Sequence, residues 1–186
     1  MTGNDGISIR ENDTIFGRDT ARAGFEERFH QLLSTNGGAL GRLAASYTNN
    51  ASDRADLLQD IALAIWNALP SFRGECSERT FIFRIAHNRA ITHIAQRRPA
   101  AASDEEIEFA DPRQNPEKGL SEEQQRARLF EAIHRLPIAY RQVITLILED
   151  MSYAEIGEIV GIAESNVGAR LTRARQMLRK LLEDQK

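Results

Sequence analysis

Cysteine, aromatic rings and long apolar runs are scarce in this chain, and each scarcity excludes something. A single cysteine, Cys76, permits neither a disulfide framework nor a cysteine-built zinc site, and it reads as an inert thiol. Aromatic residues make up only 6% of the sequence. No apolar run approaches the ~20 residues that span a bilayer, and no signal peptide is visible. A soluble, cytoplasmic protein without membrane insertion is expected. Net charge is −3 over 186 residues, which argues against indiscriminate nucleic-acid binding by the whole surface. Positive charge must be concentrated locally if DNA is a partner. Hydrophobic residues, at 41%, suffice for a real core in one medium domain or two small ones.

Catalytic signatures are missing too. There is no glycine-rich phosphate loop, no nucleophile elbow and no HExxH. The histidines His30, His87, His93 and His134 are scattered, and His87 and His93, six positions apart, fall on different helix faces, a poor metal pair. The expectation is a protein with no catalytic residues, no metal and no cofactor.

What is present lies first at the C-terminal end. Ser152 and Glu155 have the S-x-x-E spacing of a capping box, so a helix is predicted to start there. Ile156, Ile159 and Val160 give it one apolar face. Gly161 is placed for a left-handed turn, which a Cβ resists. In the helix that follows, Val167, Leu171, Ala174, Leu178 and Leu181 form an inward stripe at spacings of four and three. Arg170, Arg173, Arg175, Arg179 and Lys180 lie on or beside the remaining surface, with no acid between Glu164 and Glu183. Two short helices around one glycine, the second basic, fit a helix-turn-helix whose second helix enters the DNA major groove. Its cations would hold it in register on the phosphates.

Upstream the pattern is helical throughout, with no strand and no repeat. Residues 1–20 are polar and read as a disordered N-terminus. Phe25, Phe29, Leu32 and Leu33 share one helix face, and a second helix is predicted over 38–47 after the Asn36-Gly37-Gly38 break. A third carries Leu57, Leu58, Ile61, Ala62, Ile65, Trp66 and Leu69, opened by Ser52-Asp53 and closed by Pro70. A fourth, from Arg79 to Arg98, has Arg79, Arg84, Arg89, Arg97 and Arg98, no acid, and Phe81, Phe83, His87, Asn88 and His93 interleaved. Rings beside positive charge suit unstacked nucleic acid, although some of these side chains must be core. Residues 101–123 carry eight acids against Arg113 and Lys118, with Pro112 and Pro116, and read as a flexible acidic linker. A helix over 121–135, Leu136-Pro137, and a helix with Tyr140, Val143, Ile144, Ile147 and Leu148 lead into the helix-turn-helix. The predicted fold class is all-α. Two small helical domains, 21–100 and 124–186, are joined by the acidic linker, whose charge could fold back on the basic helices.

Two separated segments resemble one family. Asp56-Leu-Leu-Gln-Asp-Ile through Ser71-Phe-Arg-Gly-Glu, followed by Thr80-Phe-Ile-Phe-Arg-Ile-Ala-His-Asn-Arg, resembles region 2 of the extracytoplasmic-function sigma factors. Leu136-Pro-Ile-Ala-Tyr-Arg-Gln-Val-Ile through Arg170-Leu-Thr-Arg-Ala-Arg resembles region 4. The resemblance implies a protein that binds core RNA polymerase, directs it to promoter DNA and helps open the duplex. It implies a polymerase-docking helix at Asp56, Leu57, Gln59 and Asp60. It also implies capture of an unstacked base of the −10 element by Phe72, Arg73, Gly74 and Asn88, with Arg84 and Arg89 near the backbone. Reading of the −35 duplex would fall to Glu164, Ser165, Asn166, Ala169, Arg170, Arg173 and Arg175. An anti-sigma protein is a further implied partner. The alternative is a helix-turn-helix regulator acting without polymerase, which leaves the Asp-Leu-Leu-Gln-Asp helix and the Phe-Arg-Gly turn without a role.

The chain departs from the family pattern at four places. Ala163 stands where serine or threonine is common, and an alanine N-cap costs ~0.5–2 kcal/mol. Gly168 replaces a frequent lysine or arginine, Phe81 a tryptophan, and Thr92 an aspartate. A weakened −35 contact follows, leaning on the −10 contact and polymerase. Gly168→Lys should tighten promoter binding and leave polymerase affinity unchanged. Binding titrations with promoter DNA and with core polymerase check this, and no gain in promoter affinity refutes it.

Overall fold

The computed structural model describes residues 12–97 and 122–183, and these form seven α-helices and one 3₁₀ turn. The acidic segment 101–121 and residues 1–11 lie outside the described residues, so the predicted linker and most of the predicted disordered terminus are not addressed by them. The helices are α1 (Asn12–Ala45), α2 (Ala51–Ala68), α3 (Glu78–Arg97), α4 (Glu122–His134), α5 (Ile138–Ile147), α6 (Tyr153–Val160) and α7 (Glu164–Glu183). The all-α expectation holds, and the described residues contain no strand.

Two expectations about the first helix are corrected. Helix α1 begins at Asn12, inside the stretch read as disordered. That stretch contains no proline, and propagating an existing helix is far easier than nucleating one. The helix also runs unbroken through Asn36-Gly37-Gly38, so no separate helix spans 38–47. Asn36 is buried and its Nδ2 donates to the Leu32 carbonyl at 2.9 Å, directing its amide into the helix rather than ending it. Each glycine costs about 1 kcal/mol relative to alanine. Burial of Leu32, Leu40, Leu43 and Ala44 on one side outweighs that. The actual stop comes later, where Ser46 Oγ and Thr48 Oγ1 donate to the Arg42 and Ala44 carbonyls at 3.0 and 2.9 Å.

Helix α2 starts slightly before its predicted position. Asn50, not Ser52 or Asp53, is its N-cap, accepting from the Asp53 amide at 2.8 Å. Its end matches the proline signal, because Pro70 sits in the 3₁₀ turn Leu69–Ser71. Leu57, Ile61 and Ile65 face α1 and α3, packing with Leu43, Ile82 and Phe83. Trp66 lies edge-on to Phe25 and Phe29, with centroids at 4.6 and 4.9 Å. In the second half, Ile133, Leu136, Val143, Leu146, Met151, Ile156 and Leu171 fill the space between α4, α5, α6 and α7.

The helix-turn-helix forms as its sequence foretells. Ser152 and Glu155 make the reciprocal capping box, and Gly161 adopts φ +75° at the end of α6. A less visible requirement sits at Gly157. A Cβ there would lie 2.8 Å from the Ile162 carbonyl oxygen, so only glycine lets the turn close against α6. Gly168 differs: its Cβ would meet Tyr153 at an ordinary 3.5 Å. Gly157→Ala should therefore cost about 1–3 kcal/mol through overpacking. Gly168→Ala should be neutral or stabilising by up to about 1 kcal/mol. Urea unfolding of the two variants checks the contrast, and equal midpoints would refute it.

Candidate nucleic-acid interface

Exposure along α2 separates the residues assigned to docking. Asp56, Gln59 and Asp60 are exposed, and helical geometry places them in one stripe. Leu57 is fully buried and belongs to the core, so its inclusion in the docking set is corrected: one residue along a helix turns the side chain by about 100°, away from its neighbour's face. The apolar residue on the acidic stripe is Leu63, 59% exposed. It was absent from the expected set. The signal was available, since Leu63 falls outside the inward stripe and lies seven residues from Asp56 and three from Asp60.

The loop before α3 builds a cleft of about 330 Å³, lined by Ser71, Phe72, Arg73, Glu75, Cys76, Phe81 and Arg84. Three of the six residues assigned to the −10 element therefore meet in one place. Gly74, at φ +75°, turns the loop beside it. The Phe72 and Phe81 rings lie 4.7 Å apart, and the Arg28 guanidinium sits 5.5 Å from the Phe72 centroid. Arg28 in turn donates from Nε to Glu78 at 2.8 Å, fixing the start of α3 beside the cleft. Burial, and next Glu158, push the Cys76 thiol above its ordinary value. Asn88 and Arg89 do not line the cleft. They are exposed further along α3, Asn88 one turn beyond Arg84.

The interleaved rings of α3 split into two sets. Phe81 reaches the cleft, while Phe83 and His87 are buried in the core and cannot stack on bases. His93 Nε2 and Arg97 both contact Asp53 Oδ1, at 2.7 and 2.6 Å, tying the end of α3 to the start of α2. Arg79 stacks 5.5 Å over Phe83 and donates to the Glu149 carbonyl. Arg84 pairs with Glu158 of α6 at 3.2 Å. Of the α3 cations, Arg79, Arg84 and Arg97 thus have protein partners, and Arg89 presents an exposed side chain.

On α7, Glu164, Ser165, Asn166, Ala169, Arg173 and Arg175 are exposed and Arg170 is half-buried. Val167, Leu171 and Ala174 anchor the opposite face in the core. Ser165, Asn166, Ala169 and Arg173 therefore lie on the side away from that anchor, while Glu164 and Arg175 fall on its flank beside Leu171, and Arg170 on the opposite flank. The arrangement as a whole is a helix-turn-helix with an outward recognition helix, plus a three-helix body carrying an aromatic and arginine-lined cleft.

Comparison with known proteins agrees with that description. Residues 32–99 match the family described as "Sigma-70 region 2", and residues 126–178 match "Sigma-70, region 4". RNA polymerase sigma factor NccH of Alcaligenes xylosoxydans xylosoxydans is 31% identical over 169 residues, covering 88% of this chain and 91% of NccH. The ECF RNA polymerase sigma-E factor of Escherichia coli (strain K12) is 30% identical over 171 residues, covering 86% and 89%. The structure of CnrH in complex with the cytosolic domain of CnrY superposes with a TM-score of 0.68 at 27% identity, over 90% of this chain and 96% of that one. The chain belongs to the extracytoplasmic-function group of sigma-70 RNA polymerase sigma factors. It acts in transcription initiation, and a stand-alone regulator would leave the region 2 match without a role.

The buried face of α3 has a consequence for acid stability. Burial lowers the His87 imidazole from 6.5 to about 4. Folded His87 stays neutral while the unfolded chain takes up a proton below about 6.5, so its contribution is complete above that pH and falls as pH drops toward 4. The loss is on the order of 3 kcal/mol across the window. His134 shifts in the same direction, chiefly through burial. Relative to wild type, His87→Leu should lose less stability between pH 7 and pH 5 in urea melts. An identical pH dependence would refute the assignment.

Proposed function

We propose that this sigma factor divides its work among three surfaces of the helical body. The exposed stripe Asp56, Gln59, Asp60 and Leu63 docks on core polymerase. An acidic stripe ending in an exposed leucine places an apolar contact beside charge, which suits a docking interface. The cleft of Phe72, Arg73, Phe81 and Arg84, with Asn88 and Arg89 beyond it on α3, takes the melted −10 strand. Flipping a base costs a few kcal/mol of stacking. Rings to receive the base and cations to hold the neighbouring phosphates supply the return. The outer face of α7, from Glu164 to Arg175, reads the −35 duplex, and the capping box and Gly161 hold that helix at its angle.

The observation that supports this reading most is the convergence of Phe72 and Arg73, from the loop before α3, with Phe81 and Arg84 of α3 on one cleft. No described helix is long and apolar enough to cross a membrane. Because polymerase and promoter are intracellular, the factor works in the cytoplasm, through binding rather than catalysis. The solved CnrH complex holds a protein domain, and an anti-sigma protein is the corresponding partner for this chain.

Run-off transcription with bacterial core polymerase tests the division. Asp60→Ala and Leu63→Asp should each weaken polymerase binding by about tenfold, or ~1.4 kcal/mol, without changing folding stability by more than ~0.5 kcal/mol. Leu57→Ala should instead destabilise the fold by about 2–5 kcal/mol. Asn88→Ala should retain polymerase binding and lose promoter opening. If the Asp60 and Leu63 variants bind polymerase like wild type, the docking surface lies elsewhere.

A further inference from the structure

A cation beside the −10 cleft comes from outside the residues that match region 2. Arg28 lies on α1, before the matched span 32–99 begins. Phe25 and Phe29 pack edge-on to Trp66 and fix the register of α1 against α2. Arg28 follows Phe25 by one helical turn, so that register carries its side chain to the loop before α3. There the guanidinium meets an acid and a ring. Its Nε donates to Glu78 Oε1 at 2.8 Å, and its Nη2 donates to the same oxygen. Its carbon stands 5.5 Å from the centroid of the Phe72 ring, which in turn lies 4.7 Å from that of Phe81. Phe72 and Phe81 line the cleft, and Arg28 does not.

We propose that Arg28 is a positioning residue for base selection at the −10 element: held by Glu78, it braces the Phe72 ring in the orientation that the flipped base meets. Phe72 sits on a loop and is only half-buried, so packing alone leaves its ring room to turn. A cation over the ring removes that freedom only if the cation is itself held. Glu78 holds it. Its carboxylate lies in the first turn of α3, where the helix dipole favours an acid, and two N–H groups on one oxygen orient the planar guanidinium. The shape of the cleft thus depends on α1 as well as on the loop and α3. Phosphate is not the target of Arg28, because Glu78 already neutralises its charge, whereas Arg73 lines the cleft itself. The Arg28 and Glu78 side chains are 45% and 43% exposed, so breaking the pair costs the fold little. A change in base selection on breaking it is therefore not a by-product of unfolding.

The inference rests on the assignment of the cleft to the melted −10 strand, and the test separates the two. Holoenzyme assembled from the full chain and bacterial core polymerase is offered duplex DNA with a melted bubble, one strand of which is randomised, and the bound molecules are sequenced. Wild type is compared with Arg28→Ala plus Glu78→Ala, with Phe72→Ala, and with the triple variant. The paired substitution removes one charge of each sign, so net charge and long-range attraction to DNA are kept. In the wild-type background it should lower the preference for the favoured base at the captured position by about three- to tenfold, the range of a cation held over a ring. In the Phe72→Ala background the same pair should change that preference by less than about twofold, because the ring it acts through is gone. The slope of log affinity against log salt should match wild type, since removal of a phosphate contact would lower it by about one. An unchanged preference, an equal loss in both backgrounds, or a lowered salt slope overturns the role of Arg28. Should the paired variant fail to fold, Arg28→Gln replaces it in both backgrounds under the same criteria. Failure of the cleft assignment looks different: Phe72→Ala by itself would select the same base as strongly as wild type, and the role of Arg28 would fall with it.

Discussion

Helix α3 has to satisfy neighbours on every side, and that constraint organises the molecule. Its inner face, with Ile82, Phe83, Ala86 and Ala90, is fixed by the cores of α1 and α2. Its far end is clamped to Asp53 through His93 and Arg97. Its near end meets α6 and the α5–α6 turn through Arg79, Thr80 and Arg84. What is left over is a narrow outer strip carrying Asn88 and Arg89, adjoining the cleft of the preceding loop. A helix without a single acid after Glu78 is therefore not a uniformly cationic surface. Most of its charge is spoken for by carboxylates and a carbonyl, which is why an overall net charge of −3 is compatible with local DNA binding.

Region 4 achieves its geometry differently, by local chemistry. The capping box fixes where α6 begins, and its Glu155 carboxyl is held below the ordinary carboxylate range by the Ser152 amide and hydroxyl, with Thr80 and Arg79 adding to the effect. Gly161 turns the chain, and Gly157 permits the Ile162 carbonyl to approach. Asp150 takes φ +57° to end α5, and Met151 then enters the core at 1% exposure. These devices act over a few residues each. They explain why a recognition helix can be aimed accurately by an element as short as α6.

Where sequence reading erred, the cause was a long-range contact overriding a local signal. Asn36-Gly37-Gly38 looks like a break, yet tertiary burial of the flanking leucines carries α1 straight through it. Leu57 sits within a recognisable family motif, but the motif spans two faces of one helix, and only Asp56, Gln59 and Asp60 point outward. Phe83 and His87 alternate with arginines as a base-stacking helix would, but a one-residue step puts them under the surface rather than on it. Leu63 escaped notice because it belongs to no inward stripe, and that misfit is what makes it conspicuous on the surface.

The sequence alone determined the helical class, the division into two family regions, and the helix-turn-helix. Each of these depends on neighbours within about one or two turns: periodicity, a cap four residues long, a glycine with a left-handed φ. Tertiary structure alone decided that Phe72, Arg73 and Arg84 share a cleft with Phe81, that Arg42 meets Glu149 across more than a hundred residues, and that α6 covers part of α3. Such pairings are chosen by which apolar faces bury each other, and charge partners come together only once that burial has brought their helices side by side.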